Sequence, residues 1–330
     1  VKELDIRPKL VFDDLISSAK KATEGLFSHG RDNLKLVGCP ACCEEKGSTY
    51  AFWKEGFPYF TCDSCGSLYV SKRPSIDFLS VFYSKLDSFG AFYAASAEKR
   101  LEAIVRPRAR MIVETAREHG ITGTFCDIGC GNGVLLKEVE ALKCFSSHFG
   151  IDPSEKSSDA ARLSGFAVAP YNIEEGTSLN GEASFATAFE VLEHVFSPMD
   201  FLLAARKLLI PGGILVLTTL TSDGWDISEL WQYHKSICPP MHLNFLSITG
   251  LESLVRRCGF ELVELTTPGQ LDVDIVINSI CENNKVKVSR FANRIAFSSE
   301  KTRNEFQKLL RENMLSSHVQ VIVKRTGDVL

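Results

Sequence analysis

The chain has 330 residues, 45% hydrophobic, 24% charged and 10% aromatic, with 37 Lys+Arg against 41 Asp+Glu for a formal charge of −4. This composition excludes intrinsic disorder and fibrous folds, and the length suits roughly two domains at ~150 residues each. The slight acidity weighs against a general nucleic-acid binder, and no uncharged apolar run reaches the ~18 residues of a membrane span.

The first ten residues hold Lys2, Glu3, Asp5, Arg7 and Lys9, so no secretory signal is expected there. Four of the eleven cysteines form two pairs, Cys39-Pro-Ala-Cys42 and Cys62-Asp-Ser-Cys65. Pro40 and Gly66 supply turn chemistry at each pair. Two tight turns joined by a hairpin bring four thiolates to the corners of a tetrahedron, the geometry of a closed structural zinc site. Thr49–Trp53 and Phe57–Thr61 read as the strands of that hairpin. A zinc ribbon is therefore expected within residues 1–74, with ligands Cys39, Cys42, Cys62 and Cys65 and with Cys43 as the rival of Cys42. Cys126, Cys130, Cys144, Cys238, Cys258 and Cys281 lie in apolar or helical surroundings and read as small buried hydrophobes. Free thiols in that number point to a reducing compartment, the cytoplasm.

Two helical stretches follow, about 75–86 and 92–119, with Pro107 expected to kink or break the second. Residues 75–109 read as a helical linker. From Gly123 onward, strand-like runs at 124–128, 145–151, 166–171, 183–189, 214–220, 260–266 and 318–324 alternate with helical periods at 134–142, 155–163, 198–209 and 247–258. Short apolar strands between helices predict an α/β domain, over 110–330, built on a parallel sheet covered on both faces. Ligands of such sheets sit at the carboxyl ends of the strands.

The first turn reads Asp127-Ile-Gly129-Cys130-Gly131-Asn-Gly133. A dinucleotide fingerprint would require glycine at Val134. An acid beside the turn disfavours a pyrophosphate and suits an ammonium group, while the glycines let a bulky ligand approach the backbone. Asp152, at the end of the next strand, stands where a carboxylate accepts bonds from both ribose hydroxyls. S-adenosylmethionine, a phosphate-free adenosine derivative with an ammonium group, fits both acids.

These residues resemble the motifs of class I S-adenosylmethionine-dependent methyltransferases. Asp127-x-Gly-x-Gly-x-Gly is similar to the family's first motif, and Ile151-Asp152 to its ribose-binding acid. Asn172-Ile173-Glu174 stands where members place groups beside the adenine, with Asn for the usual Asp. Glu190-Val-Leu-Glu-His194 and Pro211-Gly-Gly213 match the segments around the fourth and fifth strands. The resemblance implies a Rossmann-like sheet, mostly parallel with its last strand antiparallel, and an insertion at about 268–317. The cofactor contacts it implies are Asp127, Gly129, Cys130, Gly131, Gly133, Asp152, Asn172, Ile173 and Glu190. The zinc ribbon, Pro239–Leu246 and Thr267–Asp274 together resemble bacterial sugar and surface-glycan methyltransferases, which implies a nucleotide-linked or glycan sugar as acceptor.

Methyl transfer to a hydroxyl, or to a carbon beside a carbonyl, needs a base. His242, in a loop after the fifth strand flanked by Pro239, Pro240 and Asn244, is the first candidate; His194 and Tyr233 are weaker ones. His194 is expected to start a helix under the cofactor. His29, His119, His148 and His318 look like surface or element-end residues. Trp225, Trp231 and Tyr233 could stack on a substrate or roof the pocket. Asp272 and Asp274 would face one side of an extended segment, holding substrate hydroxyls or capping the next helix. Residues 285–325 carry ten basic side chains and three acids. They suit a solvated helix face or, with Arg290 and Arg294, a diphosphate site. The competing function is RNA methylation with the ribbon as a clamp, but the near-neutral ribbon lacks a basic stripe.

Overall fold

The computed structural model describes residues 2–27, 34–43, 47–84, 95–176 and 179–327. His29, Glu44–Lys46 of the cysteine hairpin and the linker positions Leu86 and Phe92 lie outside the described residues.

Helices α1 (Glu3–Ile6) and α2 (Lys9–Phe27) open the chain. Strands β1 (Lys35–Leu36), β2 (Ser48–Lys54), β3 (Phe57–Cys62), β4 (Leu68–Val70) and β5 (Lys72–Arg73) follow, then α3 (Ile76–Ser84). Helix α4 (Ala97–Arg100) runs through a π turn at Leu101–Val105 into α5 (Arg106–Glu118). Pro107 marks a change of winding as expected: it lies at the start of α5, where the π turn gives way to α-helix without a break in the helix.

The alternating part comprises β6 (Thr124–Ile128), α6 (Val134–Ala141), β7 (Ser147–Ile151), α7 (Glu155–Leu163), β8 (Ala167–Ala169), β9 (Ala183–Phe189), α8 (Pro198–Leu208) and β10 (Leu209–Leu220). After it come α9 (Trp225–Leu230), β11 (Asn244–Phe245), α10 (Ile248–Arg257), β12 (Phe260–Thr266), α11 (Asp272–Glu282), α12 (Arg290–Ala296), α13 (Glu300–Glu312) and β13 (His318–Arg325). Seven strands form one sheet in the order β12-β13-β10-β9-β6-β7-β8. Strands β10, β9, β6, β7 and β8 are parallel neighbours, and β13 is antiparallel to both β10 and β12. This is the Rossmann-like sheet, mostly parallel with an antiparallel last strand, that the sequence resemblance implies. Strand β9 is buried almost throughout, as a strand covered on both faces must be. The stretch 268–317 supplies α11, α12 and α13 between the last two strands.

The N-terminal sheet is not a separate unit. Its order is β11-β4-β3-β2, so a strand from beyond residue 240 completes it, with Asn244 opposite Tyr69 and Phe245 opposite Leu68. Cys39, Ala41, Cys62 and Tyr69 share a core with Leu246, Leu251 and Leu254. Arg73 locks the junction. It is 1% exposed, and its guanidinium donates to the carbonyls of Val70, Phe196 and Leu243 and to Asn244 Oδ1 at 2.6 Å. Asn244 Nδ2 in turn donates to the carbonyls of Leu192 and Val195 at 3.1 and 2.8 Å. No carboxylate meets Arg73 among the described residues, so carbonyl dipoles stabilise the charge, and burial pulls its pKa down to about 10.

Truncating Arg73 leaves those carbonyls dry and unpaired. Arg73→Ala should lower the unfolding free energy by about 3 kcal/mol or more in urea denaturation. Arg290→Ala, on an exposed helix face, should stay within about 0.5 kcal/mol. Equal effects would show that the junction does not depend on Arg73.

Candidate functional site

The carboxyl ends of β6, β7 and β9 meet the start of β13 along one edge of the sheet, His318 pairing with Leu220. After Ile128 the chain turns through Gly129, Gly131 and Gly133, all left-handed with φ of 78°, 53° and 78°. Only glycine adopts such a run without strain. A Cβ on Gly129 would also meet Val191 Cγ2 at 2.7 Å, so the turn lies directly against the segment that follows β9. The amides of Gly129 and Cys130 donate to Ile151 O at 2.7 and 3.3 Å, tying the turn to β7.

Two acids bracket this turn. Asp127 is 4% exposed and its Oδ1 accepts from Thr187 Oγ1 on β9 at 2.7 Å. Burial pushes its pKa up to about 7; the Asp152 charge adds to this, while the Thr187 bond opposes it. Asp152 accepts from the amides of Gly131 and Ser154, each at 2.8 Å. Burial raises its pKa and those two bonds lower it. Beyond β8, Ile173 is buried and Asn172 Nδ2 donates to Glu175 Oε1 at 2.7 Å. A cleft open to solvent lies there, lined by Ile151, Tyr171, Ile173 and Leu179.

Glu190 closes the edge in a left-handed conformation, φ 56°. Its Oε1 accepts from Arg108 Nη2 (2.9 Å), Thr218 Oγ1 (2.7 Å) and His318 Nε2 (2.8 Å). Burial would raise its pKa, but the His318 and Arg108 charges and their bonds hold it well below the usual carboxylate range. Glu193, three residues on, is buried with Oε2 on Thr219 Oγ1 at 2.8 Å. Burial and the Glu190 charge push it up to about 8.

His194 and His242 stack edge to face with ring centroids 4.6 Å apart. His194 Nδ1–H donates to Met241 O at 2.8 Å and His242 Nδ1–H to Ser236 O. Both rings therefore keep a lone pair on Nε2. Burial lowers their pKa values to about 4 and about 3, so both are neutral imidazoles near pH 7. Such depressed values suit a hydrogen-bond acceptor or metal ligand better than a general base. Glu193, His194 and His242 offer ligand atoms within 4.8 Å of one another, a spacing able to hold a divalent cation. A second group of that kind is Cys39, Cys42, Cys62 and Cys65. Cys43, at φ 58°, turns outward instead and accepts from Arg257 Nη2 at 2.8 Å.

Several expectations are corrected. His194 starts no helix: its amide closes a turn on Val191 O, and the next helix begins at Pro198. Asp272 and Asp274 lie in the first turn of α11, not on an extended segment. Asp272 is buried under bonds from Ser316, Ser317 and Gln307. Trp225 packs edge to face on Phe306 and Trp231 on Phe52. Tyr233 sits in a short 3-10 turn, 37% exposed. Arg290 and Arg294 are exposed, as on a solvated face. Sequence reasoning missed Arg108, Thr187, Glu193 and His318 as parts of the site. The first residue of an antiparallel strand lies beside the carboxyl ends of its parallel neighbours, and that rule would have found His318.

A family profile described as a methyltransferase domain matches residues 96–265. The chain belongs to this methyltransferase family. It is 37% identical over 152 residues to a ubiquinone biosynthesis O-methyltransferase of Roseobacter denitrificans, covering 40% of this chain and 60% of that one. A protein of the same description from Thiobacillus denitrificans is 30% identical over 154 residues, covering 42% and 65%. The chain thus spans less than two thirds of the length of these curated relatives. A putative sarcosine dimethylglycine methyltransferase from Galdieria sulphuraria superposes with a TM-score of 0.47 at 13% identity, over 67% of this chain and 86% of that one. Among the described residues, no helix is long and apolar enough to cross a membrane.

The raised carboxyls have a consequence for stability. Asp127 and Glu193 bind protons more tightly folded (about 7 and about 8) than at their ordinary values of 3.8 and 4.5. The stability they contribute is therefore full below those ordinary values and is lost as pH rises through 7 to 8. Without ligand, the wild type should lose more stability between pH 5 and pH 8 than Asp127→Asn, as read by urea denaturation. Parallel losses would show that Asp127 ionises normally.

Proposed function

We propose that the protein transfers a methyl group from S-adenosylmethionine to a hydroxyl of a small-molecule acceptor, a nucleotide-linked or glycan sugar. The observation that carries this is the pair Asp127 and Asp152 flanking three left-handed glycines at the carboxyl edge of the sheet. A buried acid with spare lone pairs beside an open backbone turn favours an ammonium ligand. A second acid one strand away, fixed by two amides, is oriented for a diol. The cofactor supplies an electrophilic methyl on a sulfonium. Asp127 receives its amino group, Asp152 its ribose hydroxyls, and Ile173 with Asn172 borders its base; Gly129, Cys130, Gly131 and Gly133 form the wall against it.

The acceptor must lose a proton as the oxygen–methyl bond forms. Glu190 orients the His318 ring through Nε2 at 2.8 Å, and in its neutral form that ring leaves Nδ1 free to take the proton, the arrangement of an oriented general base. His242 and His194, neutral and with Nε2 free to accept, hold the acceptor hydroxyl in line, and proximity then contributes much of the rate. The O-methyltransferase description of the curated relatives supports oxygen as the acceptor atom. The sugar class rests on the sequence resemblance, and the cytoplasmic reading on eleven cysteines, an odd number that suits a reducing compartment.

Incubated with methyl-labelled S-adenosylmethionine, nucleotide-sugars should take up label while total RNA does not. Asp127→Asn should weaken cofactor binding at least tenfold in calorimetry. His318→Asn should lower turnover about 100-fold with cofactor affinity unchanged. Label in RNA alone, or calorimetric heat with NADH and none with the methyl donor, would overturn the reading.

The four sulfurs of Cys39, Cys42, Cys62 and Cys65 are read as a structural zinc site. Cys39–Cys65 and Cys42–Cys62 are each 3.5 Å apart, near the ~3.8 Å edge of a tetrahedron with Zn–S of about 2.3 Å. Elemental analysis of purified protein should find one zinc per chain, lost in Cys62→Ser and retained in Cys43→Ser. Retention in Cys62→Ser would remove the assignment.

A further inference from the structure

A cleft open to solvent separates the N-terminal helices from the turn at His234–Ser236 and from α11. Its floor adjoins the imidazole pair, since the Ser236 carbonyl accepts the Nδ1–H of His242. Three cations line it: Arg7, Lys9 and Lys235. Two of these are answered. Lys9 reaches Glu282 at 3.1 Å, and Lys235 reaches Glu282 and Asp13 at 2.8 Å each. The other acid of the cleft, Glu3, is taken up by Asn278 Nδ2 at 2.8 Å. Arg7 is different. Among the described residues no carboxylate lies within ion-pair distance of its guanidinium. The guanidinium rests 5.6 Å from the ring centroid of Phe12, with Lys235 Nζ 5.8 Å from the same ring. An aromatic face holds a guanidinium in place without neutralising it. The five donors of the fork then remain for a planar or tetrahedral oxyanion.

We propose that Arg7 anchors an oxyanion of the methyl acceptor, a carboxylate or a diphosphate, in this cleft beside His242. This rests on the methyl-transfer reading above and narrows its substrate to an acidic one. It also moves the anion site away from Arg290 and Arg294. Those side chains are exposed on α12, which packs against α11 and α13. The Arg7 charge is already felt at His242, where it adds to the burial that keeps the ring neutral.

The test is calorimetry on the full chain loaded with S-adenosylhomocysteine, with UDP as the diphosphate probe, glucuronate as the carboxylate probe and glucose as the neutral control. At least one anion should bind at low salt, weaken as salt is raised, and lose tenfold or more in affinity in Arg7→Ala. Arg7→Lys should recover part of that loss, and glucose should bind none of the variants measurably. Which anion binds tells diphosphate from carboxylate. Equal anion affinity in wild type and Arg7→Ala, or no saturable anion binding by wild type, overturns the inference. S-adenosylhomocysteine affinity, measured on each variant first, separates the two readings. Its retention in Arg7→Ala shows an intact cofactor fold, so a failure of anion binding then counts against Arg7 alone. Its absence in wild type would sink the methyl-donor reading and with it the acceptor role assigned to Arg7.

Discussion

Asp127, Asp152, Glu190 and Glu193 lie along one edge of a single sheet, and burying three of these acids beside one another opposes their ionisation. The fold tolerates it because each carboxylate has donors built around it. Thr187 serves Asp127, the amides of Gly131 and Ser154 serve Asp152, and Thr218 and Thr219 serve Glu190 and Glu193. Only Glu190 has a permanent cation in contact, Arg108, with His318 beside it. Hence Glu190 ionises easily while the other three are held up by burial. A positively charged ligand entering this edge relieves that burden, and stabilisation by anything that binds only the folded chain follows by mass action.

The same edge depends on a second constraint. Residues 231–243 form a run without strand or long helix, and such a run keeps one conformation only where its backbone groups find partners. The N-terminal sheet provides them. Tyr59 Oη donates to the His242 carbonyl at 2.7 Å, the Val70 amide to Leu243 O at 3.0 Å, and Lys54 Nζ to His234 O at 2.9 Å. From the other side, the Leu243 amide donates to Glu193 O at 2.8 Å. His242 is thus positioned by strands whose other end carries the cysteine pairs. Whatever holds those four sulfurs together also bears on the imidazoles, through β3 and β4.

Much of this was legible in the sequence, and the rest was hidden for physical reasons. The strand–helix alternation from Thr124 to Thr266 shows because each apolar run is long enough to carry a period, and several spans, such as Glu155–Leu163 and Ala183–Phe189, agree with the sequence reading to the residue. The glycine turn shows because its constraint is local: three left-handed residues within five. By contrast, β11 is two residues long and pairs with a strand far away in the chain, so neither period nor turn chemistry marks it. Helices α1 and α2 carry no signal that the sequence reading picked out. Buried charges mislead in the same way. Arg73, Asp226 and Asp272 look like surface residues until their partners arrive from elsewhere, as when His234 Nε2 and Ser317 Oγ reach Asp226.

Between the acidic edge and the Arg7 cleft lie His194 and His242, and their neutrality decides how the two regions relate. Two imidazolium rings there would offset the carboxylates and fill the role of Arg7 at once. Burial prevents this by holding both rings neutral well below pH 7. Glu190 therefore keeps its negative charge, and among the described residues the guanidinium stays the unanswered positive charge of the cleft. On the proposed reading, a sulfonium and an anionic acceptor would each approach a surface of opposite sign, with an uncharged pair of Nε2 acceptors to receive the hydroxyl between them. An acceptor without an anionic group would meet the same two imidazoles but nothing to draw it into the cleft, so charge complementarity would govern its capture more than the strength of the base.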